Sequence, residues 1–203
     1  MYFCQNTFIL NKAKLIQNLA QLLMETPTSR DIVITDEKIN ERYAYLAKHM
    51  IEKAIEHNAL LYSDDYASIG ILFERNKNEK ASFWKDFIGD LALAWHVTGI
   101  KKGLAALRVQ QKIKASYPKD TDYLYCWFLG VVPDERGVTD KMLAYKMKDR
   151  FFEISKQKKL PIYAETRTKR IALAYMRYGF KLQDKWQHPN GGEMFFLRYD
   201  PEN

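Results

Sequence analysis

The residues best suited to chemistry lie between Trp127 and Phe180, where a turn, a helix start and a tyrosine follow one another. Arg136 and Gly137 lie in a turn that follows an apolar run and precedes a helical pattern. Such a turn can hold an anion, because its backbone N–H groups and the positive end of the next helix face the same place. Tyr175 ends a later helical pattern, and a phenol can donate a proton within hydrogen-bond reach. These are residue types that an anion-binding turn and a proton donor require.

Other familiar catalytic arrangements are absent from the sequence. The four histidines have no companions at metal-ligand spacing, so no metal site is expected. Cys126 lies in an apolar run, which favours a small buried thiol over a nucleophile. The sequence contains no G-x-S-x-G motif, no P-loop and no dinucleotide-binding fingerprint.

The composition describes a globular, basic protein. Of 203 residues, 47% are hydrophobic, which is enough for a sizeable core and argues against disorder. Lys and Arg exceed Asp and Glu by 32 to 25, a net charge of +7, so an anionic partner is expected: nucleic acid, lipid head groups or a phosphorylated cofactor. Two cysteines are too few for a disulfide scaffold. With neither a membrane-spanning stretch nor a signal-peptide pattern, we expect a cytoplasmic location.

Hydrophobic periodicity predicts helices and strands along the whole chain. The predicted helices cover 8–24, 39–58, 82–97, a segment from Gly99 to about Ser116, 140–158 and 169–178. The predicted strands cover 31–35, 66–75, 123–132, 161–166, 180–186 and 193–199. The strand–helix–strand order over 123–166 predicts a parallel pair in a mixed α/β domain. We expect one domain over 31–203, preceded by an N-terminal helical extension over 1–30.

The segment 123–199 resembles the GNAT superfamily of N-acetyltransferases, and 31–122 fits it more loosely. The family pattern is a strand ending in a variant of L-x-V-x-P, an R/Q-x-x-G-x-G/A loop, a helix, a strand, and a helix ending in F-Y-x-x-x-G-F. The matching runs here are Leu129-Gly130-Val131-Val132-Pro133, Arg136-Gly137 and Tyr175-Met176-Arg177-Tyr178-Gly179-Phe180.

This resemblance implies an α/β (α+β) fold with a mixed, mostly antiparallel central sheet. Helices would flank both faces, and a parallel strand pair in the middle would splay apart. It implies an enzyme that moves an acetyl group from acetyl-CoA to an amine by direct attack in a ternary complex. We expect the acceptor to be a small molecule, the protein to be a monomer or homodimer, and neither a metal nor a membrane to be involved.

The resemblance also implies roles for particular residues. Tyr175 matches the family's general acid, and a phenol facing a thiolate gives up its proton at a cost of only about 2 kcal/mol. The residues expected to bind acetyl-CoA are Leu129, Gly130, Val131, Arg136, Gly137, Lys141, Leu143, Ala144, Tyr145 and Thr168. Gly130 lets another chain approach closely, although a glycine that only packs in a core strand would look the same.

The loop departs from the family pattern in two ways. Met142 stands where glycine is usual, and Val138, Thr139 and Asp140 look like three extra residues. Asp140 could cap the following helix and would then repel a phosphate, at a cost of about 3 kcal/mol. Basic residues of the same helix could offset that repulsion.

Two points stay open at the level of sequence. The general base could be Glu74, Tyr163, Glu165 or His96, and none is favoured. The protein could also be a catalytically degenerate GNAT fold that binds a ligand or partner. A nucleic-acid-binding protein ranks last: residues 101–119 hold six basic residues and no acid, but no nucleic-acid motif accompanies them.

Overall fold

The computed structural model describes residues 10–77, 97–133 and 138–201. Its helices are α1 (Lys12–Glu25), α2 (Pro27–Ile32), α3 (Ile39–Glu56), α4 (Gly99–Ser116), α5 (Val138–Lys158) and α6 (Lys169–Arg177). Its strands are β1 (Leu60–Tyr62), β2 (Ser68–Arg75), β3 (Tyr123–Val131), β4 (Ile162–Thr166), β5 (Lys181–Gln187) and β6 (Glu193–Tyr199). The helix predicted over 82–97 falls almost entirely outside these residues.

The six strands form one sheet in the order β1-β2-β3-β4-β6-β5. Every neighbouring pair is antiparallel except β3 and β4, which are parallel. The connection between these two strands is α5, as a crossover between parallel strands requires. The predicted mixed, mostly antiparallel sheet with one central parallel pair is therefore confirmed.

Each face of the sheet carries its own hydrophobic core, because side chains alternate between the faces along each strand. On one face, Ile69 and Phe73 of β2 and Phe196 of β6 pack with α1, α3 and α4. On the other face, Leu124 of β3 and Leu197 of β6 pack with α5 and α6. We call these the α1–α4 face and the α5–α6 face.

The strand predicted over 31–35 is wrong, because this segment ends a helix instead. Pro27 starts α2 in the first helical turn, where proline loses no hydrogen bond, and Ile32 ends it. Val33 is buried in the core of the α1–α4 face, which explains the apolar residues that suggested a strand. The sequence reading missed β1, whose three residues are too few for an alternating pattern.

Helix α1 is part of the same core as the sheet. Leu15 and Leu19 are fully buried there, beside residues of α3. The predicted boundary at residue 30 falls inside α2. The division into an extension and a domain stays a prediction.

Helix α5 begins at Val138, two residues before the predicted start. Asp140 therefore lies in the first turn of the helix rather than before it. None of the helices within the described ranges is long and apolar enough to cross a bilayer.

Gly70 of β2 allows α5 to pack closely on the sheet. A Cβ atom at this position would lie 2.7 Å from Phe151 Cε1 and 3.0 Å from Met147 Sδ. We expect Gly70→Ala to lower the free energy of unfolding by about 1–3 kcal/mol, since the helix would have to shift. Urea denaturation measures the change.

The variant Phe151→Leu provides the control for this prediction, because it removes the ring that the new methyl group would meet. The double variant should be more stable than the sum of the two single losses predicts. Strictly additive losses would contradict the proposed close contact.

Candidate active site

The parallel strands β3 and β4 separate after three residue pairs. Leu124 pairs with Ile162, and the last pair joins Cys126 to Ala164, although β3 continues to Val131. Over residues 128–131, β3 stays paired with β2 but not with β4. The splayed pair that the sequence predicts is therefore present, and it leaves one edge of β3 open.

An irregularity in the pairing explains why the strands separate at this point. Cys126 lies opposite Leu72, and Phe128 lies opposite Ile71, so Trp127 is an extra residue in β3. Such a bulge bends a strand and increases its twist. Trp127 and Phe128 both pack against the core of the α1–α4 face, as an extra residue requires. The bulge thus turns the second half of β3 away from β4.

A cavity of about 220 Å³ occupies the gap, and we call it the channel. It reaches both faces of the sheet: Cys126, Ile171 and Tyr175 line it on the α5–α6 face. On the α1–α4 face its lining includes Leu23, Pro27, Leu46, His49, Met50, Gln110, Ile113, Tyr125 and Met194. Two ligands could therefore meet in the sheet from opposite sides.

Tyr175 lies at the channel with its hydroxyl 3.8 Å from Cys126 Sγ. Its ring packs against Phe180, with 4.9 Å between the centroids. Burial raises the pKa of Tyr175 well above 10, so the phenol keeps its proton at neutral pH. Burial also raises the pKa of the Cys126 thiol to about 12, which leaves no thiolate for nucleophilic attack.

Glu165, near the end of β4, lines the channel beside the point of separation. Its carboxylate accepts hydrogen bonds from the hydroxyls of Tyr117 and Tyr125, the second at 2.7 Å. Burial raises the pKa of Glu165, while the two phenols favour the charged form. The carboxylate is therefore a half-buried proton acceptor fixed in place by two donors.

The aromatic residues around Glu165 are tightly packed. The ring of Tyr117 contacts those of Tyr123, Tyr125, Tyr163 and Phe196, at centroid distances of 5.5–6.2 Å. Tyr117 lies just after α4, so this cluster connects that helix to three strands. Sequence reasoning missed Tyr117 and Tyr125, because their closeness to Glu165 depends on contacts across 40 or more residues.

The candidate general bases differ in whether they line the channel. Glu74 is exposed and forms an ion pair of 2.7 Å with Lys158, away from the channel. Tyr163 is buried in the aromatic cluster and does not line the channel. His96 lies outside the described residues. Among the three candidates that the structure describes, Glu165 alone reaches the channel.

Only some of the residues predicted to bind acetyl-CoA lie at the channel. Leu129 and Thr168 line the channel with Tyr175. Gly130 continues the open edge of β3, but a Cβ there would lie 3.1 Å from Leu22 Cδ1, so core packing already accounts for the glycine. Val131 is buried and pairs with Ser68 of β2.

The remaining predicted residues lie on α5 or outside the described part. Leu143 lines a separate depression of about 400 Å³, together with Lys146 and Arg150. Ala144 is half-buried, and Tyr145 contacts the ring of Tyr178 of α6 at 5.3 Å. The description does not extend to Arg136, Gly137 or the side chain of Lys141. The role of every residue in this set stays a prediction.

Arg167 lines the channel and links α2 to the β5–β6 hairpin. It forms an ion pair with Asp31 of α2 and donates a hydrogen bond of 2.9 Å to the carbonyl of Gly191 in the β5–β6 hairpin. Burial lowers the pKa of Arg167.

Within the described residues, no group of three His, Cys, Asp or Glu could hold a metal ion.

Comparison with known proteins identifies the fold. No family model matches the chain, and no curated protein matches it. Among solved structures, arylalkylamine N-acetyltransferase 2 from Aedes aegypti superposes with a TM-score of 0.63, at 15% identity over 92% of each chain. An acetyltransferase of Corynebacterium glutamicum, described as histone acetyltransferase HPA2 and related acetyltransferase, gives 0.62, at 14% identity over 94% of this chain and 91% of its own.

The C-terminal condensation domain of Ebony, in complex with beta-alanyl-dopamine, is also similar. Its TM-score is 0.59, at 9% identity over 93% of each chain. Identities this low show the fold alone. The chain therefore has the GNAT fold, as the sequence resemblance implies.

The desolvated carboxylate of Glu165 predicts a pH-dependent cost in stability. The pKa of this carboxyl is higher in the folded state than in the unfolded state. The group therefore destabilises the fold more and more as pH rises from the unfolded-state pKa to the folded-state pKa. We expect Glu165→Gln to gain stability relative to wild type between pH 5 and 7, as measured by thermal unfolding. Tyr175→Phe is the control. Because the pKa of Tyr175 is raised, this phenol does not titrate between pH 5 and 7, and the stability difference between this variant and the wild type should stay constant over that range. If the wild type became more stable relative to Glu165→Gln as pH rises, this assignment would be wrong.

Proposed function

We propose that the protein transfers an acetyl group from acetyl-CoA to the amino group of a small molecule, by direct attack in a ternary complex. The observation that carries this proposal is the channel at the split between β3 and β4. It has a protonated phenol, Tyr175, on one face and a fixed carboxylate, Glu165, at its other side. An acid and a base on either side of a gap suit a reaction in which one group loses a proton and another gains one.

The residues at the gap fit acetyl-CoA. Residues 127–131 of β3 have an edge unpaired with β4, which suits an extended arm that needs backbone hydrogen bonds. Leu129 and Thr168 would contact that arm, and Arg136, Gly137 and Lys141 near the start of α5 would hold its phosphates. When bound, acetyl-CoA supplies the acetyl group and a thiolate as leaving group.

Glu165 would accept the proton of the acceptor. A primary amine with an ordinary pKa is uncharged in only about one molecule in 2,500 at pH 7, so an ammonium must lose a proton before its nitrogen can attack. The carboxylate of Glu165 would attract the ammonium and take this proton at a carboxylate oxygen. The nitrogen would lose a second proton as the adduct collapses, and that proton would neutralise the departing thiolate. Tyr117 and Tyr125 would keep the carboxylate oriented towards the channel.

Tyr175 would hold its proton at the phenolic oxygen, available to the leaving group. Because burial raises its pKa, complete transfer of the proton is less favourable than for a tyrosine in water. The phenol therefore acts chiefly as a hydrogen-bond donor to developing negative charge, a contribution that grows where water is excluded.

The solved neighbours support a small amine as acceptor. The Aedes aegypti protein is an arylalkylamine N-acetyltransferase, and the Ebony domain is described in complex with beta-alanyl-dopamine. A channel of about 220 Å³ is below the usual range of ligand pockets, which also favours a small molecule.

The basic residues of α4 lend little support to nucleic-acid binding. Lys102 donates a hydrogen bond of 2.6 Å to the carbonyl of Val33, and Lys112 lies 4.0 Å from Asp184. Part of the basic stripe is therefore engaged within the fold.

Acetyl-CoA should bind and be consumed in the presence of a primary amine. Calorimetry measures the binding, and release of free thiol measures the turnover. Binding without turnover for any amine would favour the degenerate GNAT fold. No heat at millimolar acetyl-CoA would overturn the proposed donor.

Replacement of Tyr175 and Glu165 should affect different steps. Tyr175→Phe is expected to lower kcat about 100-fold with little change in acetyl-CoA affinity. Glu165→Gln should lower kcat/KM about 100-fold. It should also remove the acid limb of the pH profile, which the raised pKa of Glu165 places above about 4.5.

Glu74→Gln is the matched control, because it makes the same chemical change on an exposed residue outside the channel. Its kinetics should equal those of the wild type. A persistent acid limb in Glu165→Gln would assign the base to another group.

A further inference from the structure

We propose that the acceptor is a primary amine with a hydrocarbon body, and that Trp127 and Phe128 of β3 form the surface on which this body binds. This inference rests on the proposed function and specifies the acceptor class of the same site. Three observations carry it: both rings lie on one face of the sheet, both are partly accessible at the channel, and Glu165 lies at the same point of separation.

The bulge gives β3 two consecutive aromatic side chains on the α1–α4 face. Side chains alternate between the faces of a regular strand, so the neighbour of Trp127 would ordinarily point to the other face. Because Trp127 is an extra residue in the pairing with β2, Phe128 packs against the same core as Trp127 does. The channel therefore has two aromatic residues in succession along one of its strands.

Both rings are held in place, yet neither residue is fully buried. The ring of Trp127 packs against that of Phe73, with 5.4 Å between the centroids. Gly130 leaves room for Phe128, since a Cβ atom there would lie 3.0 Å from Phe128 Cε1. Trp127 and Phe128 are half-buried and line the channel, so part of their surface is accessible to a ligand there. Aromatic surface that stays accessible in a cleft is typical of a site for an apolar ligand.

Glu165 would bring the charged end of the acceptor to these rings. The last pair of the parallel strands joins Cys126 to Ala164, so Trp127 and Glu165 are the first residues beyond it on their two strands. Glu165 accepts a hydrogen bond from Tyr125, which belongs to the core of the α1–α4 face. An ammonium bound at this carboxylate would therefore place the rest of a short molecule on the face that carries both rings.

Helix α2 adds apolar surface to the lining. Pro27 and Ile32 are half-buried and line the same channel. Burial of hydrocarbon against such surfaces is favourable in proportion to the apolar area removed from water. An aromatic ring on the acceptor would gain further from stacking on Trp127 or Phe128. The channel thus favours amines with an aliphatic body over the smallest amines, and amines with an aromatic body over both.

Three probe amines test the inference: ethylamine, n-butylamine and 2-phenylethylamine. Each carries one amino group, and they differ only in their hydrocarbon. We expect kcat/KM to rise about fourfold for each CH₂ group added between ethylamine and n-butylamine. The kcat/KM for 2-phenylethylamine should exceed that for ethylamine at least about 100-fold, because the ring buries more apolar surface and can stack.

Trp127→Leu should lower the ratio of kcat/KM for 2-phenylethylamine to kcat/KM for ethylamine about tenfold. A general loss of folded protein would lower both values equally, so this ratio reports the contact with the ring. The variant should also weaken the calorimetric binding of 2-phenylethylamine to the protein without acetyl-CoA by a similar factor. Phe128→Leu is the second variant, and we expect it to change both quantities in the same direction.

Trp186→Leu is the matched control. It makes the same substitution at a half-buried tryptophan that packs against the same core but does not line the channel. This variant should keep the wild-type ratio. If Trp186→Leu lowered the ratio as much as Trp127→Leu, the proposed surface would be wrong.

The outcomes separate the two proposals. If acetyl-CoA binds and all three amines have equal kcat/KM values, the inference is overturned and the proposed function stands. An unchanged ratio in both Trp127→Leu and Phe128→Leu also overturns the inference. A lack of turnover with all three amines overturns it as well, while failure to bind acetyl-CoA overturns the proposed function itself.

Discussion

The extra residue at Trp127 is the constraint on which the site depends. The pairing of β3 with β4 ends at Cys126, directly before this residue, and the channel occupies the gap that follows. Because β3 keeps its pairing with β2 and β4 keeps its pairing with β6, the two halves of the sheet diverge without losing their own hydrogen bonds. The opening therefore costs backbone pairing only along the one edge where a ligand can replace it.

The site joins two cores that are otherwise separate. Tyr175 and Cys126 belong to the α5–α6 face, whereas Glu165, Tyr117 and Tyr125 meet on the α1–α4 face. Each face fixes one of the two proposed reactive groups by packing, so the distance between Tyr175 and Glu165 depends on the sheet rather than on a loop. A sheet holds such groups more precisely than a loop does.

The sequence was informative where a pattern repeats along one element. The long helices and the parallel pair could be predicted, because each depends on local periodicity or on order along the chain, whereas the role of Tyr175 stays a prediction. The bulge could not, since 123–132 is apolar throughout and shows no alternation in which an extra residue would stand out. Tyr117 was missed for another reason: nothing near it in the chain indicates that it contacts Glu165 at the end of β4.

The aromatic cluster around Tyr117 has a consequence for how this protein can change over evolutionary time. The same rings that hold the carboxylate also fill the core, so substitutions there would damage folding and chemistry together. Gln110 of α4, which lines the channel but belongs to neither hydrophobic core, carries no such double burden. New specificities can therefore arise at such a position by single steps, while the cluster that orients Glu165 is inherited intact.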